Sequence, residues 1–328
     1  MQTHSTNQDC IQAETYNFDT EMEMKYASAL FELLEHLSFP FLASLSVKSE
    51  GDKTICVEYE NFQENTVEQF IKKQIQSNEA IDEQKLLDYS SQGAMTLAFI
   101  HKHKLVHGQI SPQNLSIAEN GTPRFGFVDF RVNLQFQDVK EINEQNLKNL
   151  ESEDMHNFGK VLYSLSELKE FSDNNDEIQQ SNKSALSDPN VELRLNANQL
   201  LEQVEIQERI NIWKQQQPNS QSPIEIAKSQ FSNYRLYLAQ LLVEITGASV
   251  QDRLAIAERG EFVELVNILK WARNQNKELS RPIQELVCEV VQDLINENKS
   301  AAAIGLEQSE IVQQLKQLLG TNLEIEEV

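Results

Sequence analysis

Leu105-Val106-His107-Gly108-Gln109-Ile110-Ser111-Pro112-Gln113-Asn114 is the stretch on which the reading of this chain turns. Gln109 carries no titratable group, so its side chain cannot serve as a base. Asn114 reads as a turn residue that satisfies local backbone. Before the stretch, Asp82 to His101 reads as a helix with Leu86, Leu87, Tyr89, Met95, Leu97 and Phe99 at apolar positions. After it, Leu115-Ser116-Ile117 and Arg124 to Val128 read as two strands around the turn Glu119-Asn120-Gly121. Asp154 to Leu165 follows as a strongly apolar helix, with Asp154 in position to cap it. His101-Lys102-His103 and His107 fit no standard zinc spacing, and the first two are expected to be solvated helix-end histidines.

Further out, residues 1–23 are polar and acidic and read as a tail. From Met24 an amphipathic helix presents Ala27, Leu30, Phe31, Leu34 and Leu37, and Phe39-Pro40 ends it. Phe41 to Val47 and Thr54 to Tyr59 read as strands joined at Glu50-Gly51-Asp52-Lys53. Asn65 to Gln76 reads as a short helix, Phe171 to Asn190 as a loop, and Asn196 to Ile206 as a helix. Lys214 to Pro223 is polar and of low complexity, like a linker. Beyond it the pattern is helical. Leu242 to Leu265 echoes Val290 to Val312: an apolar helix, a polar break, a short Ala-containing helix, another apolar helix. Such units resemble armadillo repeats, which bury their faces only by stacking on neighbours.

The charge balance is 28 − 51 = −23. It opposes nucleic acid and anionic membrane as partners and favours protein partners with basic surfaces. Cys10, Cys56 and Cys288 are far apart and odd in number, which suits a reducing compartment. No signal segment or membrane-spanning run is expected, so the expected setting is cytoplasmic, without membrane insertion.

The catalytic-loop stretch and four further segments, ordered along the chain, resemble the protein-kinase fold. The stretch 105–114 resembles the catalytic loop H-R-D-L-K-P-x-N. Leu34 to Leu42 resembles the turn after the αC helix, and Ile55-Cys56-Val57-Glu58-Tyr59 resembles the strand entering the hinge. Asp154 to Leu165 resembles the signature D-x-W-S-x-G-x-x-L-Y-x-L. Asp188-Pro189, with Arg194 to Leu201, resembles the entry to the last helix. The resemblance implies that His107 packs beneath the site and that Asp154 holds the loop backbone. It puts Gln109 where the catalytic Asp belongs, Ser111 where the Lys belongs, and Asn114 at the magnesium-binding Asn. No glycine-rich phosphate loop or V-A-I-K strand precedes the first helix, and Leu30 stands where the Lys-pairing Glu would be. The D-F-G position falls on Phe127-Val128-Asp129 without a gap, which is preferred, or on Asp129-Phe130-Arg131 with one.

The expected architecture is α+β. A truncated kinase-like fold, with a small N-lobe and a mainly helical C-lobe, spans 24–208; a linker spans 209–223; an all-α armadillo-like region spans 224–328. The layout is similar to Fused-type, Unc-51-like and N-terminal-kinase-like proteins. The expected function is an inactive pseudokinase scaffold without catalytic residues, cofactor or metal. The alternatives are a structural subunit of a larger assembly, in a ciliary or cytoskeletal setting, and an atypical ATP-dependent kinase using Asn114 and Asp129.

Overall fold

A computed structural model of the chain describes residues 11–37, 39–43, 45–51, 54–60, 65–117, 122–126, 128–129, 132–133, 144–168, 194–216, 223–246, 248–296 and 298–307. Several expectations lie outside these residues: Cys10, the turn at 119–121, Phe127, Phe130 and Arg131 of the two D-F-G alignments, the loop 171–190 with Asp188-Pro189, and the repeat beyond 307. The described residues divide into two compact units. One holds 37–51 and 55–219 with the first strand; the other holds 17–36, 52–54 and 220 onward.

In the first unit, β1 (Ile11–Asn17), β2 (Leu45–Gly51) and β3 (Thr54–Glu60) form a sheet in the order β1-β3-β2. The stretch expected to be a tail through residue 23 therefore supplies a strand, and the helix after it begins at Glu21. The strand expected over 41–47 begins only at Leu45, because Phe41 and Ala43 bond instead to Phe125. α2 (Val67–Ser77) starts where the Thr66 side chain accepts from the Gln69 N–H. α3 (Glu83–Lys102) starts where Asp82 accepts from the Gln84 N–H. Both starts follow from N-cap chemistry. β4 (Leu115–Ile117) and β5 (Pro123–Phe125) pair antiparallel, with Leu115 opposite Phe125.

α4 (Glu144–Glu167) begins ten residues before the expected Asp154, so Asp154 is inside a helix rather than capping one. Gly93 makes its crossing with α3 close: a Cβ there would lie 2.1 Å from the Phe158 ring. The expected helix 196–206 is two, α5 (Ala197–Leu201) and α6 (Val204–Gln216), and α6 occupies half of the expected linker. Asn196 and Gln199 close a capping box at α5. Arg209 of α6 grips Asp88 of α3 with two bonds of 2.7 Å, the fork geometry of a guanidinium on a carboxylate.

The second unit is helical. α7 (Pro223–Ile245), α8 (Val250–Glu258), α9 (Glu261–Arg273), α10 (Lys277–Ile295) and α11 (Lys299–Glu307) follow α1 (Glu21–His36). Two long helices, α7 and α10, are each followed by a break and a nine-residue helix, as the sequence echo implied. The short helices α8 and α11 pack together. Asn298 caps α11 by accepting from the Ala301 N–H and donates to the Val250 carbonyl at 2.8 Å. The core joins Leu238, Phe262, Leu265, Val287 and Leu294, and Ala29 of α1 belongs to it.

α1, within the region expected to be kinase-like, packs on α7. The reason is electrostatic as well as apolar. Lys25 meets the nearly buried Asp293 of α10 at 2.6 Å, and Arg235 of α7 bonds Glu32. Burial raises the Glu32 pKa, but bonds from His36 and Arg235 outweigh it and hold the carboxyl below its ordinary value. Among the described residues no helix is long and apolar enough to cross a membrane.

Candidate functional site

The loop 105–114 is held from beneath by one carboxylate. Asp154 is 2% exposed. It accepts from the His107 N–H at 2.7 Å and the Gly108 N–H at 2.9 Å. His101 places Nε2 3.0 Å from Asp154 Oδ2, so it is not the solvated helix-end residue expected from sequence. Burying a carboxylate this deeply requires such donors.

His107 is completely buried. Its Nε2 lies 3.2 Å from the Gly126 carbonyl, and its ring meets Phe125 edge-on at 5.8 Å. Burial pushes its pKa down, against the pull of Asp154. Gly108 stands where the H-R-D motif has Arg. Its φ is +78°, and a Cβ would meet Val132 and Asp129 at 3.1–3.2 Å. Gly126 is also needed, because its N–H bonds the Asn114 carbonyl at 2.8 Å and a Cβ would meet that same oxygen.

Gln109 sits at the centre. Its Nε2 donates to Asp129 Oδ2, and its Oε1 accepts from Asn114 Nδ2 at 3.3 Å. Asn114 Nδ2 also donates to the Gln109 carbonyl at 3.0 Å, the local role expected of it. The amide thus bridges the two side chains that the kinase resemblance would assign to a metal. Asp129 is placed by its own N–H on the His107 carbonyl at 2.8 Å. Ser111 accepts, through its carbonyl, the N–H groups of Asn114 and Leu115.

Residues 11–153 match the family model of protein tyrosine and serine/threonine kinases. The chain carries a kinase-like domain. No curated protein matches it. The match begins at β1 and includes α1, the helix that packs in the second unit.

The kinase-like loop has one support that sequence reasoning missed. Asn133, 2% exposed, copies a strand partner: it accepts from the Val106 N–H at 3.1 Å and donates to the Val106 carbonyl at 2.9 Å and the Asp129 carbonyl at 2.7 Å. Its only sequence signal was an Asn between apolar neighbours. Val57, expected in a core strand, is 3% exposed there. Arg194 reaches Ser152 of α4, 3.5 Å from its carbonyl and hydroxyl.

In the second unit, Glu32, Glu35 and His36 bring potential metal-ligand atoms within 4.8 Å of one another. The Arg235 guanidinium already engages Glu32, and its charge opposes a metal cation there.

Histidine burial sets a pH dependence. His156 of α4 is held at about 4 by burial and then by Arg194 and Lys160. His107 is lowered in the same direction. The unfolded chain then binds more protons than the folded one below the ordinary value of about 6.5, so stability falls as pH drops from there toward 4. Burial raises Glu151 and acts in the opposite direction above 4.5. The expected result is a shallower loss of urea stability between pH 7 and 5 for His156→Gln than for the natural chain. Equal slopes would refute the assignment.

Proposed function

We propose that the chain is a catalytically inactive kinase-like protein, a pseudokinase, acting as a scaffold or protein-interaction module. The observation that carries this reading is the Gln109 amide, which stands at the position of the catalytic base and is bonded to both Asp129 and Asn114. A positioned base alone is worth about 10²–10⁴ in rate. Phosphoryl transfer also depends on metal and phosphate contacts. Here Leu30, 1% exposed, stands where the Lys-pairing Glu would be.

The interaction role would draw on the helical unit, read as armadillo-like, whose stacked helices offer faces to a partner helix or peptide. The net charge of −23 favours a partner with a basic surface in a cytoplasmic setting.

The test is melting of the purified chain with ATP and magnesium, beside a phosphate-transfer assay. The expected outcome is an unchanged Tm and no transfer. A ligand at a hundred times its Kd stabilises by about 2.7 kcal/mol, which a melt resolves readily. A magnesium-dependent rise in Tm together with transfer would overturn the proposal.

A further inference from the structure

α6 has one face fixed and one face free. Ile206 and Ile210 are buried, the Trp213 ring lies 5.5 Å from the Phe41 ring, and Arg209 grips Asp88. These four side chains mark the face turned to the rest of the first unit. Two residues along a helix is about 200° of rotation, so Val204 and Glu208 point away from Ile206, and Ile212 points away from Ile210. Val204, Glu208 and Ile212 follow at i, i+4 and i+8 as one outward ridge, with Glu205 beside Glu208.

The ridge holds apolar surface in water. Val204 is 68% exposed and Ile212 41%, and Val204 is the most exposed large apolar side chain among the described residues. Scattered exposed aliphatic side chains are ordinary. Two on one ridge, two turns apart, repeat the spacing at which helices anchor on one another. The carboxylates beside them are not neutralised: among the described residues no cation pairs with Glu205 or Glu208. Arg209 is taken by Asp88 and Gln84. Lys214 is about 200° round the helix from Ile212 and so lies off the ridge.

We propose that the outward ridge of α6 docks an amphipathic helix of another protein, with aliphatic side chains on one face and Lys or Arg along its edge. Val204 and Ile212 are about 12 Å apart along the axis, two turns of a facing helix. Glu205 and Glu208 lie between them and select a cationic partner, because like charges across an interface repel. A second copy of this chain fits poorly for the same reason. A two-fold interface sets the same patch against itself, and would bring these carboxylates together. The proposal shares the basic partner of the interaction role above but not the absence of catalysis. A magnesium-dependent melt with phosphate transfer would overturn the inactive reading and leave the ridge untouched.

The probe is a labelled amphipathic peptide of about 18 residues with a Leu face flanked by Lys and Arg. Its control has the same composition with the Leu residues dispersed round the helix. Fluorescence anisotropy follows binding to the full chain at physiological salt. The expected result is saturable binding of the first peptide and at least tenfold weaker binding of the control. Val204→Ser/Ile212→Ser should weaken binding about tenfold or more, the size expected when two buried aliphatic side chains lose their contact. Glu205→Lys/Glu208→Lys should weaken it and flatten its salt dependence. Glu79→Lys/Glu258→Lys makes the same change of charge at two other exposed positions and should leave binding unchanged. All of these side chains are exposed, so the variants keep the fold. No saturable binding, equal binding of the two peptides, or an equal loss in Glu79→Lys/Glu258→Lys overturns the proposal. So does binding unchanged in either ridge variant. Sedimentation of the chain alone closes the test: a dimer that Val204→Ser/Ile212→Ser dissociates would give the ridge to a second copy and overturn the proposal.

Discussion

Replacing Asp154 by Ala is expected to destabilise the first unit by about 3–5 kcal/mol, the range for removing one partner from a buried charged network. The carboxylate accepts two backbone N–H bonds from His107 and Gly108 and faces His101 at 3.0 Å. Alanine would leave the two N–H groups buried with no acceptor, and an orphaned buried donor costs about 1–3 kcal/mol. Asp154→Asn separates geometry from charge. It keeps one carbonyl acceptor but turns an NH2 toward a donor, so its cost is expected to fall between that of the natural chain and that of Asp154→Ala. Urea denaturation at neutral pH measures both. A loss below about 1 kcal/mol for Asp154→Ala, the worth of one ordinary hydrogen bond, would mean the loop is held by other means.

The second large effect is expected at Gly93. Helix propensity alone predicts that Gly93→Ala stabilises α3 by about 1 kcal/mol. The crossing with α4 predicts the reverse. A new Cβ would stand 2.1 Å from Phe158 Cζ and 2.6 Å from Cε2. Phe158 cannot easily retreat, because it is 2% exposed and lies 5.8 Å from the Phe125 ring. Overpacking of this kind costs about 1–3 kcal/mol or more, which outweighs the propensity gain. The expected net result is a destabilisation of about 2 kcal/mol. Phe158→Leu removes the clashing ring edge. The Gly93→Ala/Phe158→Leu pair should therefore be less destabilised than the sum of its single changes. Strict additivity would show that the two positions do not contend for the same space.

Local chemistry made much of this readable beforehand. Thr66 and Asp82 begin their helices because their oxygens answer backbone N–H groups a few residues away, and that logic is contained in short windows. The run Leu115 to Ile117 and the role of Asn114 were legible for the same reason. What escaped notice depends on partners far along the chain. His101 was read as solvated because Asp154 is 53 residues away. Asn133 carries no local signal of its role, since its amide bonds the backbone of Val106, 27 residues earlier. The packing of α1 on α7 is likewise not local. Its apolar face is visible in the sequence, but nothing local says which surface covers it, and Lys25 finds Asp293 268 residues later. Gln109 shows both sides: its lack of a base is plain from its identity, whereas its bridge between Asp129 and Asn114 depends on how the chain folds.

The packing of α1 against α7 bears on how the chain is made. Residues 21–36 leave the ribosome well before the helix they pack on, which begins only at Pro223. At translation rates of about 5–20 residues per second, that interval is roughly ten to forty seconds. Throughout it Ala29, the α1 residue that shares the core of the second unit, has no native cover from α7. A nascent chain stalled before residue 223 would leave Ala29 and the Glu32 carboxylate without the α7 side chains that share their core and ion pair, so early termination should leave α1 unanchored.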